Sequence, residues 1–474
     1  MDSYADKKFS SNFLWGASSS AYQVEGASSE DGKGPSCQDI KKLPDGTSDL
    51  TICADEYHHY KEDVALMAQM GLKAYRFSIA WTRILPQGFG DINLKGIAYY
   101  NNLINECLSY GIQPIVTILH FDMPAELNKK GGWSNPESIS WYENYSKVLF
   151  EYYGDRVKYW LTINEQNIDT LGGGDLGTKN IPAGLSSHLQ HIYQQNHNMF
   201  LAQAKVMRIC HKMLPDAKIG PAPNIYIVYP ASSAPEDFIA AQNFNSIRNW
   251  LYFDVAVYGK YNEIAAAYLK SHNAYPNMNK DDRAVLCAAK PDFLAFNYYY
   301  STTVSASDGT ETVDPNGNLH TLDGKTMGDP GYYRNVLNPN LKRTQWGWEV
   351  DPVGFRASFR ELASRYHLPM LVTENGLGAY DKLENGRVHD SYRIDFLRDH
   401  ITQMKLALDE GCDIIGYCPW SNVDLVSTHE GMKKRYGLIY VDRKEEGQGS
   451  LKRYPKDSFY WYQKVISSNG KNID

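Results

Sequence analysis

Two short segments of the chain each place a glutamate at the end of an apolar, strand-like run. Their sequences are LTINEQ at residues 161–166 and LVTENG at residues 371–376, so the two glutamates are Glu165 and Glu374. Two carboxylates at the ends of separate strands can hydrolyse a glycosidic bond, because one protonates the leaving oxygen while the other attacks the anomeric carbon or activates water. A strand that ends in glutamate is also common in structural roles. The elements that position these two residues therefore decide between the two interpretations.

Eight short apolar runs alternate with longer amphipathic segments along the 474 residues. Several runs are rich in Val, Ile and Leu without polar alternation, as expected of parallel strands buried on both faces. Their alternation with helical segments predicts an α/β fold, a (β/α)8 TIM barrel that forms a single domain over residues 1–474. A doubly wound open sheet is the alternative, although it usually has fewer strands. The predicted strands are Phe13–Ser18, Ala74–Trp81, Pro114–His120, Tyr159–Glu165, Ile219–Pro223, Phe293–Tyr299, Met370–Glu374 and Ile414–Trp420.

The segments between the strands carry helical periodicity. Apolar side chains recur every three or four positions from Ile394 to Leu408, after a candidate cap at Asp390 or Ser391 and before Gly411. A similar stripe covers residues 57–70. Two stretches break the rhythm, at residues 308–340 and 421–436. Both follow barrel strands, so both are predicted to be loops on the catalytic face.

Bulk composition excludes several classes of function. A net charge of −7 without a long basic run argues against a nucleic-acid partner. The seven cysteines show no metal-binding spacing, and they are typical of free thiols in a reducing compartment. The N-terminus lacks the apolar core of a signal peptide, and no apolar stretch is long enough for a membrane span. We therefore expect a cytoplasmic enzyme with no membrane partner; the oligomeric state stays open.

The strand ends and the positions beside them supply a ring of polar side chains with one indole. Such a ring suits a pyranose, since sugar hydroxyls need fixed donors and acceptors and the apolar sugar face needs an aromatic platform. Any one member alone would more often be structural, so the prediction depends on their joint placement. The residues are Gln23, Arg76, His120, Asn164, Glu165, Tyr299, Glu374 and Trp420.

Over essentially its whole length the chain resembles a family 1 glycoside hydrolase, a retaining β-glycosidase. The motifs that carry the resemblance occur in barrel order. They are FLWGA at 13–17, AYQVEG at 21–26, YRFSIAW at 75–81, HFDMP at 120–124, TINE at 162–165, NYY at 297–299, TENG at 373–376 and WS at 420–421.

The resemblance implies a role for each residue of the ring. Glu165 would be the acid/base and Glu374 the nucleophile, with Arg76 and Tyr299 beside it. The positive charge of Arg76 is expected to lower the pKa of Glu374. No metal or cofactor is implied. The glycone would be held by Gln23, His120, Asn164 and Trp420.

Three departures from the family pattern leave the reacting groups intact. Ile163 and Gln166 replace the more common Phe and Pro, and Phe121 replaces the usual Trp. These changes are expected to affect the fit of the aglycone rather than catalysis.

The loop after the last strand points to the kind of sugar. Ser427 stands where family members that act on plain glucosides usually have a glutamate. A carboxylate there would repel a 6-phosphate of about −1.5 to −2 charge, whereas a hydroxyl can donate to it. Lys434 and Tyr436 follow, and together the three residues are similar to the phosphate clamp of 6-phospho-β-glycosidases. Lys433 is the alternative cation.

The resemblance thus favours a 6-phospho-β-glucosidase that acts on a small phosphorylated β-glucoside. Thr428 favours the gluco configuration, because the phospho-galactosidases of this group tend to have Trp at that position. A 6-phospho-β-galactosidase and an unphosphorylated β-glucosidase are the alternatives. A non-catalytic sugar-binding protein of the same fold is disfavoured, because both glutamates are present.

Overall fold

The computed structural model describes residues 8–43, 45–171, 186–309, 328–428 and 430–473. Eight parallel strands form its main sheet, in which seven ladders pair consecutive strands and join the first strand to the last. The predicted TIM barrel is therefore confirmed. The barrel strands, numbered one to eight below, are Leu14–Ser18, Ala74–Ser78, Gln113–Leu119, Tyr159–Asn164, Lys218–Ala222, Leu294–Asn297, Met370–Glu374 and Ile414–Tyr417.

Hydrogen bonds between strands five and six close the barrel. The Asp292 amide donates to the Ile219 carbonyl at 2.9 Å, and the Asn297 amide donates to the Pro223 carbonyl at 3.1 Å. The close approach needs a glycine, because a Cβ at Gly220 would lie 2.4 Å from the carbonyl oxygen of Phe293. The carboxyl ends of all eight strands thus face one pocket.

Long helices cover the outside of the barrel. The predicted stripe of residues 394–408 lies on the helix Ser391–Asp409, where Leu397, Ile401 and Met404 are buried. Gly411 follows that helix with φ of 100°, a left-handed conformation that glycine adopts at little cost. The α-helices are Ala21–Val24, Glu56–Met70, Trp81–Ile84, Leu94–Ser109, Ala125–Lys129, Ser138–Tyr153, Gln166–Leu171, His188–Met213, Pro235–Asn245, Leu251–Tyr258, Glu263–Ser271, Asp282–Ala288, Pro352–Tyr366, Ser391–Asp409 and Asp457–Ser467.

Two further helical turns complete these elements. Gly132–Ser134 is a 3-10 turn, and Ser246–Trp250 is a π-helical segment between two α-helices. Among the described residues, no helix is both long and apolar enough to cross a membrane.

Apolar side chains fill both sides of the barrel wall. The interior cluster includes Ile115, Leu161 and Leu371, one from each of three strands. Their sequence neighbours, such as Val116 and Val372, point outward and join the larger cluster between sheet and helices. Burial on both faces explains why the strands lack polar alternation.

Smaller sheets lie in the loops that follow the strands. The prediction of a loop over residues 308–340 is wrong in part, because two short strands of a four-stranded sheet lie there; residues 310–327 are outside the described part. The loop at 421–436 contains no helix or strand among its described residues. The remaining strands are Val228–Pro230, Thr302–Ser305, Gly328–Asp329 and Tyr333–Val336 in one sheet, Lys342–Arg343 with Glu349–Val350, and Ile439–Val441 with Arg453–Pro455.

Several barrel strands end earlier than the sequence predicts. Strand four ends at Asn164, because Glu165 turns into the left-handed region with φ of 45°. Strand two ends at Ser78, and Trp81 begins a short helix instead. Apolar character alone therefore does not mark the strand ends.

Candidate active site

Glu374, at the end of strand seven, is held by a cation and a phenol. The guanidinium of Arg76 donates to its Oε1 at 2.6 Å, and the hydroxyl of Tyr299 donates to its Oε2 at 2.6 Å. The Arg76 side chain is fully buried and the Glu374 side chain is 5% exposed. Both oxygens of Glu374 are thus fixed in orientation, as a carboxylate poised for attack requires.

Burial and charge act on Glu374 in opposite directions. Burial raises the pKa of Glu374 to about 7, the nearby Arg76 opposes that rise, and the carboxylate of Glu165 adds to it. The expected effect of Arg76 on this pKa is therefore present, but burial outweighs it. The pKa of Glu374 is raised rather than lowered.

Glu165 faces the same pocket from the end of strand four. Its Oε1 accepts from the amide of Asn224 at 2.8 Å and from the amide of Asn297 at 2.9 Å. Thr373 in turn donates to the side-chain carbonyl of Asn297 at 2.7 Å, which fixes that amide's orientation. Glu165 is only partly buried, so one side of this carboxyl group lies toward the opening of the pocket.

Asn164 links the charged residues to the polar ring. Its side-chain oxygen accepts from Arg76 at 2.6 Å and from Asn297 at 3.1 Å, so its amide nitrogen must be the atom 3.0 Å from His120 Nε2. His120 therefore accepts at Nε2 and carries its proton on Nδ1. Burial and the charge of Arg76 hold the pKa of His120 well below its usual value, so the imidazole is neutral.

Trp420 and Gln23 complete the ring. The indole of Trp420 stacks on the His120 imidazole, with centroids 5.8 Å apart and planes at 26°. The Gln23 amide donates to the Val426 carbonyl at 2.9 Å, and its oxygen accepts from Ser20 at 2.7 Å. Gln23 thereby joins the first strand's loop to the loop after the last strand.

The last loop brings Ser427, Lys434 and Tyr436 together. Lys434 Nζ lies 5.7 Å from the centre of the Tyr436 ring, and Lys434 and Ser427 both face one oxygen of Glu430, at 3.6 and 3.0 Å. The Tyr299 and Tyr436 rings meet edge to face at 6.4 Å. The loop therefore adjoins the residues that hold Glu374.

Of the two adjacent lysines, only Lys434 is turned inward. Its side chain is 2% exposed and lies over the rings of Trp348 at 3.9 Å and Trp346 at 5.0 Å. Lys433 is exposed. Burial lowers the pKa of Lys434, against the opposing charge of Glu430. The packing favours Lys434 as the cation that faces a ligand.

Sequence reasoning missed several residues at this site. Asn224 lies two positions after strand five, so the strand-end rule that selected the others could have found it. Asn297 was seen only as part of a motif. Trp346, Trp348 and Glu430 lie in loops whose conformation gives no periodic signal.

Comparisons with known proteins show which family the chain belongs to. The chain matches the model of glycosyl hydrolase family 1 over residues 5–471, and it belongs to that family. The aryl-phospho-β-D-glucosidase BglC of Bacillus subtilis (strain 168) is 43% identical over 98% of this chain and 99% of its own length. A 6-phospho-β-glucosidase of Dickeya chrysanthemi is 40% identical over 98% of this chain and 99% of its own length. The family 1 β-glucosidase from Thermotoga maritima superposes with a TM-score of 0.86 at 34% identity, covering 98% of this chain and 100% of that one.

Proposed function

We propose that this enzyme hydrolyses 6-phospho-β-D-glucosides with retention of configuration, and that residues 1–474 form one catalytic domain. The observation that carries the proposal is the buried ammonium of Lys434, which faces the same Glu430 oxygen as the Ser427 hydroxyl does, in a loop next to Tyr299. Relatives of this chain whose names specify phosphorylated glucosides support it. A buried cation needs an anionic partner; Glu430 faces Lys434 at 3.6 Å, and a sugar 6-phosphate at the rim would supply a second, stronger one.

In the first step Glu374 acts as the nucleophile. One of its oxygens bonds to the anomeric carbon while the glycosidic C–O bond breaks, and Glu165 gives its proton to the departing oxygen. Arg76 and Tyr299 hold the attacking carboxylate in place. Asn164, fixed by Arg76, has a side chain directed to the pocket and is suited to bind the sugar hydroxyl next to the reacting carbon.

In the second step Glu165 acts as a base. It takes a proton from water, the water oxygen bonds to the anomeric carbon, and the ester bond to Glu374 breaks. The two inversions restore the β configuration. The remaining ring residues have chemistry suited to the glycone: Gln23 and His120 offer hydrogen bonds, and Trp420 offers an apolar face.

A cytoplasmic location is part of the proposal. None of the seven cysteines, all of which lie in the described part of the chain, forms a disulfide, as is common in reducing compartments. A sugar phosphate is also typical of an intracellular substrate.

The test compares 4-nitrophenyl β-glucoside 6-phosphate with plain 4-nitrophenyl β-glucoside. The wild type should prefer the phosphorylated substrate. Lys434→Ala should lower kcat/KM about 10- to 200-fold on that substrate and hardly change it on the plain one, because a buried contact between charged groups is lost. Lys433→Ala, at the exposed neighbouring lysine, is the matched control and should change neither.

A second variant tests the sign of the charge. Ser427→Glu should partly invert the preference, since it removes a hydroxyl donor and adds repulsion toward phosphate. Equal wild-type rates on the two substrates would contradict the proposal.

A further inference from the structure

Glu430 lies where a phosphate would have to bind. Its Oε2 accepts from the Ser427 hydroxyl at 3.0 Å and faces Lys434 Nζ at 3.6 Å. One carboxylate oxygen thus contacts two of the three groups assigned above to the phosphate. A phosphoryl oxygen carries the same charge and would bind the same hydroxyl and ammonium.

The backbone fixes Glu430 over this position. Ser427 and Gly431 exchange two hydrogen bonds, of 3.0 and 3.2 Å, which close a tight loop around Glu430. Gly431 has φ of 63°, and a Cβ there would lie 2.2 Å from an oxygen of Glu445. Glu445 also accepts from Ser48, so the far side of the loop is anchored. Glu430 is therefore presented to Lys434 by the fold of the loop.

Lys434 has aromatic faces on its other sides. Its ammonium lies over the rings of Trp348, Trp346 and Tyr436. Among the described residues, Glu430 is the carboxylate that forms an ion pair with it. Burial raises the pKa of Tyr436, and the negative charges of Glu430, Glu374 and Glu165 add to that rise. The Glu430 carboxylate thus acts on the same phenol as Glu374 and Glu165 do.

We infer that Glu430 is an internal anion that occupies the phosphate subsite of the free enzyme and that phosphorylated substrate must displace. The inference rests on the proposed function. Glu430 can leave because its side chain is 27% exposed, whereas Lys434 at 2% exposure remains in place. A carboxylate and a phosphate dianion on the same ammonium repel each other, so binding of the substrate includes the expulsion of Glu430.

Glu430 also bears on plain glucosides. When no phosphate is present the carboxylate stays at the rim and offers acceptor oxygens to the sugar's 6-hydroxyl. Ser427 has replaced the carboxylate that usually serves plain sugars, and Glu430 would partly restore that function from three residues along the loop. The residue is therefore a determinant of specificity that weakens phosphate binding and sustains a residual activity on plain sugars.

The test measures KM and kcat of Glu430→Gln on both 4-nitrophenyl substrates, together with inhibition by glucose 6-phosphate. KM for the phosphorylated substrate and Ki for glucose 6-phosphate should each fall about tenfold, the change produced by about 1.4 kcal/mol. The kcat on that substrate should stay within about twofold, since no group at the reacting carbon changes. The kcat/KM on plain glucoside should fall. Glu430→Ala should act in the same directions and serves as the second variant if the Gln variant folds poorly.

Glu446→Gln is the matched control. It removes an exposed carboxylate beside the residue that anchors the loop, without touching that anchor. It should leave KM and Ki within about twofold of wild type, because its charge is not on the phosphate subsite.

The results distinguish a failure of the role inferred for Glu430 from a failure of the proposed function. If KM for the phosphorylated substrate rises or stays constant in both Glu430 variants, while Lys434→Ala still loses activity on it, Glu430 only orients the lysine and this inference is wrong. If the wild type shows no preference for phosphate and Lys434→Ala has no effect, the proposed function itself fails.

Discussion

Two clusters of buried or partly buried charged residues differ in how completely they are paired. In the reactive cluster, Arg76 forms an ion pair with Glu374, whereas Glu165 has amide partners and no ion pair among the described residues. In the closed network under the last loop, three carboxylates meet three cations. Its members are Asp381, Asp390, Asp424, Arg393, Arg435 and Lys456.

The difference in pairing appears in the protonation equilibria. In the closed network, the charges of Arg393 and Lys456 hold the pKa of Asp381 below its usual value despite burial. In the reactive cluster, burial and Glu165 raise the pKa of Glu374 to about 7 despite Arg76. The closed network, in which cations and carboxylates are equal in number, therefore stabilises a loop. The reactive cluster has more carboxylates than cations, which leaves Glu374 with a pKa near neutral pH, as acid–base or nucleophilic chemistry requires.

The closed network also explains how the last loop holds its shape. Arg435 lies between Lys434 and Tyr436 in sequence and donates to Asp424 at 2.7 Å. Lys456 reaches the other oxygen of Asp424, also at 2.7 Å. The two ligand-facing residues are thus carried on a segment whose middle residue is locked. The buried ion pairs of Asp424 therefore hold Lys434 and Tyr436 in position.

The largest expected effect comes from removing the nucleophile. Glu374→Gln should lower kcat by about 10⁴-fold or more on every substrate, whatever its leaving group, because no covalent intermediate can form. The measurement is steady-state turnover of plain and phosphorylated aryl glucosides. An unchanged circular dichroism spectrum is the control for folding. Retention of more than about 1% of the wild-type rate would contradict the role, given the size of the loss expected.

The next effect depends on the leaving group. Glu165→Gln should cost about 10²- to 10⁴-fold with poor leaving groups, which need a proton. A dinitrophenyl substrate should still react quickly in the first step and then stall, because water lacks its base. Rapid mixing should therefore show a burst of dinitrophenol followed by slow turnover. Equal losses with good and poor leaving groups would remove the distinction between the two carboxylates.

Much of this site could be predicted from the sequence because its residues lie at strand ends. Apolar runs mark the strands, and the polar residues that follow them, such as His120 and Glu165, face the common pocket, while Arg76 faces it from within strand two. The closed network could not be predicted, since Asp381 and Lys456 lie 75 residues apart in loops without periodicity. The contact of Glu430 with Lys434 likewise depends on a loop conformation. The raised pKa of Glu374 depends on burial, which motifs do not report.

The third effect is on stability and concerns the closed network. Asp381→Asn should reduce the free energy of unfolding by about 3–5 kcal/mol, because it leaves Lys456 and Arg393 with unbalanced buried charge. Denaturation by urea measures the change. Asp395→Asn is the control: it breaks an exposed ion pair with Arg398 on the helix Ser391–Asp409, which also carries Arg393, and should have little effect. Equal effects of the two substitutions would show that burial of the network does not matter.

The smallest effect is on the pH dependence of the free energy of unfolding, to which Glu374 and Asp381 contribute with opposite signs. The folded-state pKa of Glu374 is about 7, raised from 4.5, so the unfolded chain loses this proton first as the pH rises. The contribution of protonated Glu374 to the free energy of unfolding is thus complete below about pH 4.5. It is lost as the pH rises through 7, a change on the order of 1–3 kcal/mol. Asp381, with its lowered pKa, contributes stability above its unfolded value and loses it only in acid.

The experiment compares wild type with Glu374→Gln by urea denaturation at pH 5 and pH 8. Most titrating groups are common to both proteins, so the difference between them isolates Glu374 and the groups coupled to it. From pH 5 to pH 8 the free energy of unfolding of the variant should rise relative to that of the wild type by about 1–3 kcal/mol. The reason is that the variant has no carboxylate to ionise in the buried site. For Asp381→Asn the difference from wild type should be constant over the same interval, because Asp381 is ionised in both states there. A constant difference for Glu374→Gln would mean that Arg76 alone balances the nucleophile, and the contrast between the clusters would disappear.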